Sequence, residues 1–164
     1  MKNLLLIAIA ILAVGCGEKN ESTTDTESKK QGGNRDLCIA TMGGTIEKVR
    51  ELLAAGADVN AKGVFPYGVP LCNAVEQGHK EMVELLISNG AKLETENFSG
   101  RTPLMLAIKG GHKEIVELLI SKGVDLEAKD NGGNNSLDLA ILGEKKEIAE
   151  ILRKNGIETR YFEK

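Results

Sequence analysis

The stretch Gly100-Arg101-Thr102-Pro103-Leu104-Met105-Leu106-Ala107-Ile108-Lys109-Gly110-Gly111-His112-Lys113-Glu114-Ile115-Val116-Glu117-Leu118-Leu119-Ile120-Ser121-Lys122-Gly123 decides the fold. It reads as two short helices. Thr102 suits an N-cap and Pro103 the first helical position, where its missing N–H costs nothing. Leu104, Leu106, Ala107 and Ile108 follow, and Gly110-Gly111 breaks the run. A second helix then carries Ile115, Val116, Leu118, Leu119 and Ile120 on an apolar face. Gly123 stands where a left-handed residue closes a helix. Val124 to Asp130 is read as extended, leading to the next turn.

Outward from this stretch the pattern recurs. Leu37, Leu71, Leu104 and Leu137 are spaced by 34, 33 and 33 residues, and small residues follow each at Ala40, Ala74, Ala107 and Ala140. Gly56, Gly90, Gly123 and Gly156 keep the same spacings of 34, 33 and 33. A period near this length means stacked units, each burying an apolar face on its neighbours. The units run over 35–62, 63–97, 98–130 and 131–164. Asn135 or Ser136 is the N-cap of the fourth unit's first helix. The turn Val64-Phe65-Pro66-Tyr67-Gly68 is one residue longer than the others.

The end units are polar where interior units are apolar. Met82 and Leu85, Ile115 and Leu118, and Ile148 and Ile151 occupy one pair of places, filled in the first unit by Lys48 and Glu51. Leu53, Ile87 and Ile120 share another place, which is Arg153 in the last. The first pair is assigned to the face toward the preceding unit, the second place to the face toward the following one. Polar residues there solvate the two open ends, so four units with both caps are expected.

Thr102-Pro103-Leu104, Gly111-His112, Ile115-Val116-Glu117-Leu118-Leu119 and Gly123 resemble an ankyrin repeat. So do Pro70-Leu71, Gly78-His79, Met82-Val83-Glu84-Leu85-Leu86 and Gly90-Ala91, with matching fragments at 52–60 and 148–156. The resemblance covers 35–158 and implies an all-α repeat solenoid of four helix-turn-helix units with short β-hairpin turns. The histidine usual after Pro-Leu in that family is replaced by Cys72, Met105 and Asp138, so the hydrogen bonds it makes are not expected here.

The rest of the chain is different. Met1-Lys2-Asn3 is followed by an unbroken apolar run, Leu4–Val14, too short to span a bilayer and suited to the core of a signal peptide. Leu12-Ala13-Val14-Gly15-Cys16 resembles a bacterial lipobox, with Ala13 where Leu is usual. That resemblance implies a signal peptide at 1–15, lipidation of Cys16 (a palmitate-type anchor) and a cell-envelope lipoprotein. An ordinary secretory signal cut nearby is the alternative. Gly17 rather than Asp after the Cys favours the outer membrane, on its periplasmic or surface side. Gly17–Asn34 holds no apolar side chain and is expected to be a disordered polar tether within 16–34.

Composition narrows the function. Lys and Arg number 21 against 24 Asp and Glu, a net charge of −3 with no basic excess for a phosphate backbone, so no nucleic acid is expected. His79 and His112 occupy equivalent places one unit apart, too far to share a metal, and are assigned structural roles. The Gly-rich 131–136 lacks the Lys-Ser/Thr ending of a phosphate loop. Lys80–Glu84, Lys113–Glu117 and Lys146–Glu150 are spaced for solvated ion pairs rather than acid–base work. No catalytic residues, cofactor or metal are called for. Cys38 and Cys72 could be bridged in an oxidising compartment, but equivalent places on stacked helices favour two free thiols.

The aromatics all lie outside the helices: Phe65, Tyr67 and Phe98 in turns, Tyr161 and Phe162 in a tail read as a lid over the last unit. Family resemblance places such turns beside a concave binding surface. Phe65, Tyr67 and Phe98 are the candidate anchors, with Glu76, Gln77, Arg101 and Lys109 on the same side and Glu96 and Lys129 as a charged rim. Packing of Phe65 and Tyr67 on each other or on a neighbouring turn is the other reading. The expected function is a monomeric, membrane-anchored module that binds a protein partner. A structural envelope spacer and an enzyme with a site in the concave face are the alternatives.

Overall fold

The computed structural model describes the backbone of residues 22–63 and 68–158, with side chains described from residue 32 onward. Eight helices and no strand occur among the described residues: α1 (Ser22–Gly43), α2 (Ile46–Ala54), α3 (Pro70–Glu76), α4 (Lys80–Ser88), α5 (Pro103–Gly110), α6 (Lys113–Ser121), α7 (Ser136–Leu142) and α8 (Lys146–Lys154). The odd-numbered inner helices pack side by side, and each packs against the outer helix that follows it. Four helix-turn-helix units result, as the period predicts. The turns between units are hairpin-like, with no strand among their described residues. Two of them close on Asn97 N–H to Arg101 O and Asp130 N–H to Asn134 O, both 3.0 Å, with Gly100 N–H to Asn97 O at 3.0 Å and Gly133 N–H to Asp130 O at 2.8 Å inside them. The corresponding bond of the longer turn is Gly63 N–H to Gly68 O, 2.9 Å, which spans one residue more.

Caps set the helix limits. Thr102 accepts from Met105 N–H at 3.5 Å, with Pro103 in the first turn. Asn135, not Ser136, is the N-cap of α7. It accepts from Asp138 N–H at 2.9 Å, while the Asp138 carboxylate accepts from Asn135 N–H at 3.2 Å. This reciprocal capping box gives Asp138 a hydrogen-bonding role at a place where none was expected. Outer helices end on Gly56, Gly90, Gly123 and Gly156, all with φ between 79 and 89°. Paired bonds such as Gly90 N–H to Ile87 O and Ala91 N–H to Leu86 O, both 3.0 Å, close these ends.

The core is one aliphatic cluster running from Leu37 to Ile157 through all four units. Ile115, Val116 and Leu119 of α6 are buried, while Leu118 and Ile120 are half-buried and pack against the cluster from its flanks. Leu85 lines a groove with Ile46 and Arg50 of the preceding unit, as its assigned face requires. At the first end Lys48 and Glu51 are exposed and pair with each other at 3.2 Å. Arg153 is exposed at the other end.

The first helix departs from expectation. α1 begins at Ser22, inside the stretch expected to be a disordered tether. The entropy argument treats that stretch as independent, but it is continuous with an inner helix already fixed by buried Leu37, Cys38 and Ala40. Nucleation is therefore already met, and each further residue adds a backbone bond. Asn34 also has a partner: its Oδ1 accepts from Asp58 N–H at 2.8 Å. Residues 16–21 of the expected tether lie outside the described residues.

Gly44, Gly78 and Gly111 sit between the two helices of units one to three with φ of 71, 75 and 74°, and unit four places Glu144 there at φ 55°. Glu144 is the one non-glycine residue with positive φ among those described. Replacing it with Gly removes a left-handed strain of about 1 kcal/mol or more, partly offset by added unfolded-state entropy. Glu144→Gly should therefore raise the unfolding free energy by roughly 0.5 kcal/mol in urea titration. Gly78→Ala should lower it, because a Cβ would also stand 2.6 Å from the His112 ring.

Candidate functional site

Three side-chain bonds of one kind hold the units in register. Lys92 N–H donates to Asn60 Oδ1 and Asp125 N–H to Glu94 Oε1, both at 2.8 Å. These donors and acceptors occupy equivalent places in successive units. Asn34 makes the same bond to Asp58 for the first unit, so α1 supplies what a preceding unit would. Asn60 also donates through Nδ2 to Gly90 O at 3.1 Å. Each of the two histidines seats its ring against the preceding unit: His79 over Gly44, and His112 over Gly78 with Nε2 3.3 Å from Glu76 O. Both rings serve packing between units, the structural role assigned to them.

The turns are braced as firmly. Asn97 Oδ1 accepts from Ser99 N–H and Arg101 N–H at 2.9 and 3.1 Å. Asp130 Oδ1 accepts equivalently from Gly132 and Asn134 N–H at 2.8 and 2.9 Å. Partial burial opposes ionisation of Asp130. Hydrogen bonds from Asn134 and Gly132, with Arg101 nearby, outweigh it and hold the carboxyl below its ordinary value. Asn131 Nδ2 donates to Ser99 O at 3.2 Å and ties one turn to the next.

On this frame the expected site residues fall as follows. Phe98 is 60% exposed at a turn. It shares a cleft of about 200 Å³ with Lys62, Gly63, Val69 and Glu96. Glu76 and Gln77 end α3, and Lys109 lies one residue from the end of α5; all three are exposed. Arg101 is half-buried at the base of its turn, and Glu96 and Lys129 are exposed at equivalent places in two turns. Cys16, Phe65, Tyr67, Tyr161 and Phe162 lie outside the described residues.

Two residues escaped the sequence reading. Met42 and Leu142 occupy the same place in α1 and α7 that Glu76 and Lys109 occupy in α3 and α5, and they are 37% and 56% exposed. Neither is aromatic. The signal for both lies in the repeat itself, where an apolar residue stands in register with the charged Glu76 and Lys109. Among the described residues the large exposed apolar side chains are Ile39, Met42, Phe98 and Leu142. Three lie on inner helices and one on a turn; none lies on an outer helix.

The outer face is polar and locally paired. Lys80 and Glu84 approach to 3.9 Å. Lys113 does not close on Glu117 as its spacing suggested; it reaches Glu147 of the next unit at 3.0 Å. That hydrogen bond is the main cause that raises the Lys113 pKa.

A family model described as Ankyrin repeats (3 copies) matches residues 5–97 and 71–162. The chain belongs to the ankyrin-repeat family. Among curated ankyrin relatives, human Ankyrin repeat domain-containing protein 17 is 42% identical over 79 residues, 48% of this chain and 3% of that protein. Ankyrin repeat and KH domain-containing protein mask of Drosophila melanogaster is 39% identical over 79 residues, 48% of this chain and 2% of its own length. The mouse B-cell lymphoma 3 protein homolog is 35% identical over 78 residues, 48% of this chain and 17% of its own. The alignments thus cover a small part of each relative's length. Ankyrin repeats generally mediate protein–protein interaction and are typically non-catalytic.

Cys38 and Cys72 are free and buried, as the stacking geometry suggested. Burial pushes the Cys38 thiol up to about 11. Burial, then the charges of Glu76 and Glu96, push Cys72 up to about 12. A Cys16→Ser protein should therefore take up no iodoacetamide at about pH 8 when folded and two equivalents when unfolded, read by mass. Both raised values also favour folding below the unfolded thiol pKa of about 8.5 and lose that contribution as pH rises toward the folded values. Stability should fall across that alkaline window, and less so in Cys72→Ala.

Proposed function

We propose that this chain is an envelope-anchored ankyrin module, held at a bacterial membrane through lipidated Cys16 and binding a protein partner on its inner-helix side. The observation that supports the binding surface is the distribution of exposed apolar side chains. Met42, Leu142 and Phe98 stand on the inner helices and a turn, whereas the described outer helices expose charged residues. Large apolar groups left partly wet after folding are available for burial by a partner, and such anchors carry much of an interface's energy. The nine residues Phe65, Tyr67, Glu76, Gln77, Glu96, Phe98, Arg101, Lys109 and Lys129 would form this surface, with Met42 and Leu142 added.

Anchoring rests on the sequence of residues 1–16: a short positive start, an apolar run too short to span, and a Cys at the shift to polar chain. The lipid would be the chain's one membrane contact. The outer membrane, on its periplasmic or surface side, is the proposed location, and a monomer the proposed state.

Two measurements test this reading. Cys16→Ser should move the protein from the membrane pellet to the soluble envelope fraction, or leave it unprocessed. Undiminished membrane partition would contradict the anchor. Capture of a cross-linked envelope partner should fall about thirtyfold or more in Phe98→Ala/Leu142→Ala, equivalent to about 2 kcal/mol, and be unchanged in Lys113→Ala/Glu117→Ala. Loss in the outer pair alone, with both variants folded, would place binding on the other side.

A further inference from the structure

The four equivalent inner-helix places read Met42, Glu76, Lys109, Leu142 along the solenoid: apolar, acidic, basic, apolar. All four are exposed, and each is the last or next-to-last residue of its helix. We infer that this row is a recognition strip for one α-helix of a partner protein, which presents apolar, basic, acidic and apolar side chains to it at seven-residue intervals. The inference rests on the inner-helix reading of the binding surface and adds the partner's chemistry to it.

Spacing selects the helix. Neighbouring packed helices lie about 8–10 Å apart, so the strip offers one contact per interval of that size. Seven residues of an α-helix rise about 10.5 Å and return nearly to the same face, drifting about 20° per heptad. An extended strand covers the interval in about three residues, which turns successive contacts to opposite faces. A polyproline helix repeats at a suitable length, but its recognition uses aromatic-lined grooves, and this row is Met, Glu, Lys and Leu.

Charge sets the order. Glu76 and Lys109 are adjacent in the row and opposite in sign, so a partner with two like charges meets repulsion at one of them. The inner-helix C-termini add partial negative charge around the strip, which favours the partner's basic group opposite Glu76. Met42 and Leu142, at the two ends, are the places for the apolar groups.

The probes are two fluorescent Ala-based helical peptides of about 25 residues, long enough to cross four units. One carries Leu, Arg, Glu and Leu at seven-residue spacing, the other Leu, Glu, Glu and Leu. By anisotropy the native protein should bind the first about fivefold more tightly, the scale of exchanging one exposed attractive pair for a repulsive one. Glu76→Lys should reverse the ranking. Glu76 is exposed and makes no ion pair among the described residues, so this variant should keep the native melting curve. Equal binding of the two peptides by both proteins, or binding of neither, overturns the inference. Binding that is lost in Met42→Ala/Leu142→Ala yet ignores charge order also overturns it, while leaving the inner-helix surface in place.

Discussion

No unit of this chain can bury its own apolar face, and everything else in the structure follows from that constraint. The helices from α2 onward have only seven to nine residues each and present aliphatic side chains on more than one side. Isolated helices this short are marginal in water. Stacking joins Leu37, Leu71, Leu104 and Leu137, the four inner-helix anchors, into one cluster that extends to Ile157. The core is built without a single Trp, so its density comes from many small aliphatic contacts rather than a few large rings. The ends are where the constraint is hardest to satisfy. Lys48 and Glu51 meet it by solvation, and α1 meets it by lending Asn34 to the bond that a preceding unit would make.

The same stacking gives the solenoid two unlike sides. Outer helices carry charges, some paired across units as in Lys113 and Glu147. Inner helices end in a row whose chemistry changes from unit to unit although its geometry does not. The bonds that Asn60 and Glu94 accept from Lys92 and Asp125 N–H, and the seats of His79 and His112, keep that geometry constant. A surface held in this way can vary one residue per unit without disturbing the frame. That variation is the physical basis for recognition by a repeat protein.

Much of this was legible in the amino-acid sequence. The period, the cap glycines, Thr102 and Pro103, the solvated Lys48 and Glu51, and the longer turn at 63–68 each depend on local geometry that residue type alone dictates. Three things were not. The helical start at Ser22 depends on continuity with a buried segment, which composition cannot register. The partner of Lys113 depends on which of two acids the neighbouring unit brings closer. Asp138 gains its bonds only because Asn135 is in extended backbone at the N-cap. The exposure of Met42 and Leu142 is legible only when the equivalent places of the four units are compared, because apolar character alone does not tell an exposed side chain from a buried one.

The central claim is that contacts between units, rather than within them, hold the fold. Amide hydrogen exchange of Leu119→Ala under native conditions tests it most directly. Leu119 is fully buried in α6, and its truncation should cost about 2–5 kcal/mol. If the stack unfolds as one body, the slowest amides of α4, α6 and α8 should all lose protection by that same amount. A loss confined to α6, with α4 and α8 as protected as before, would show that the units stand independently and would contradict the account.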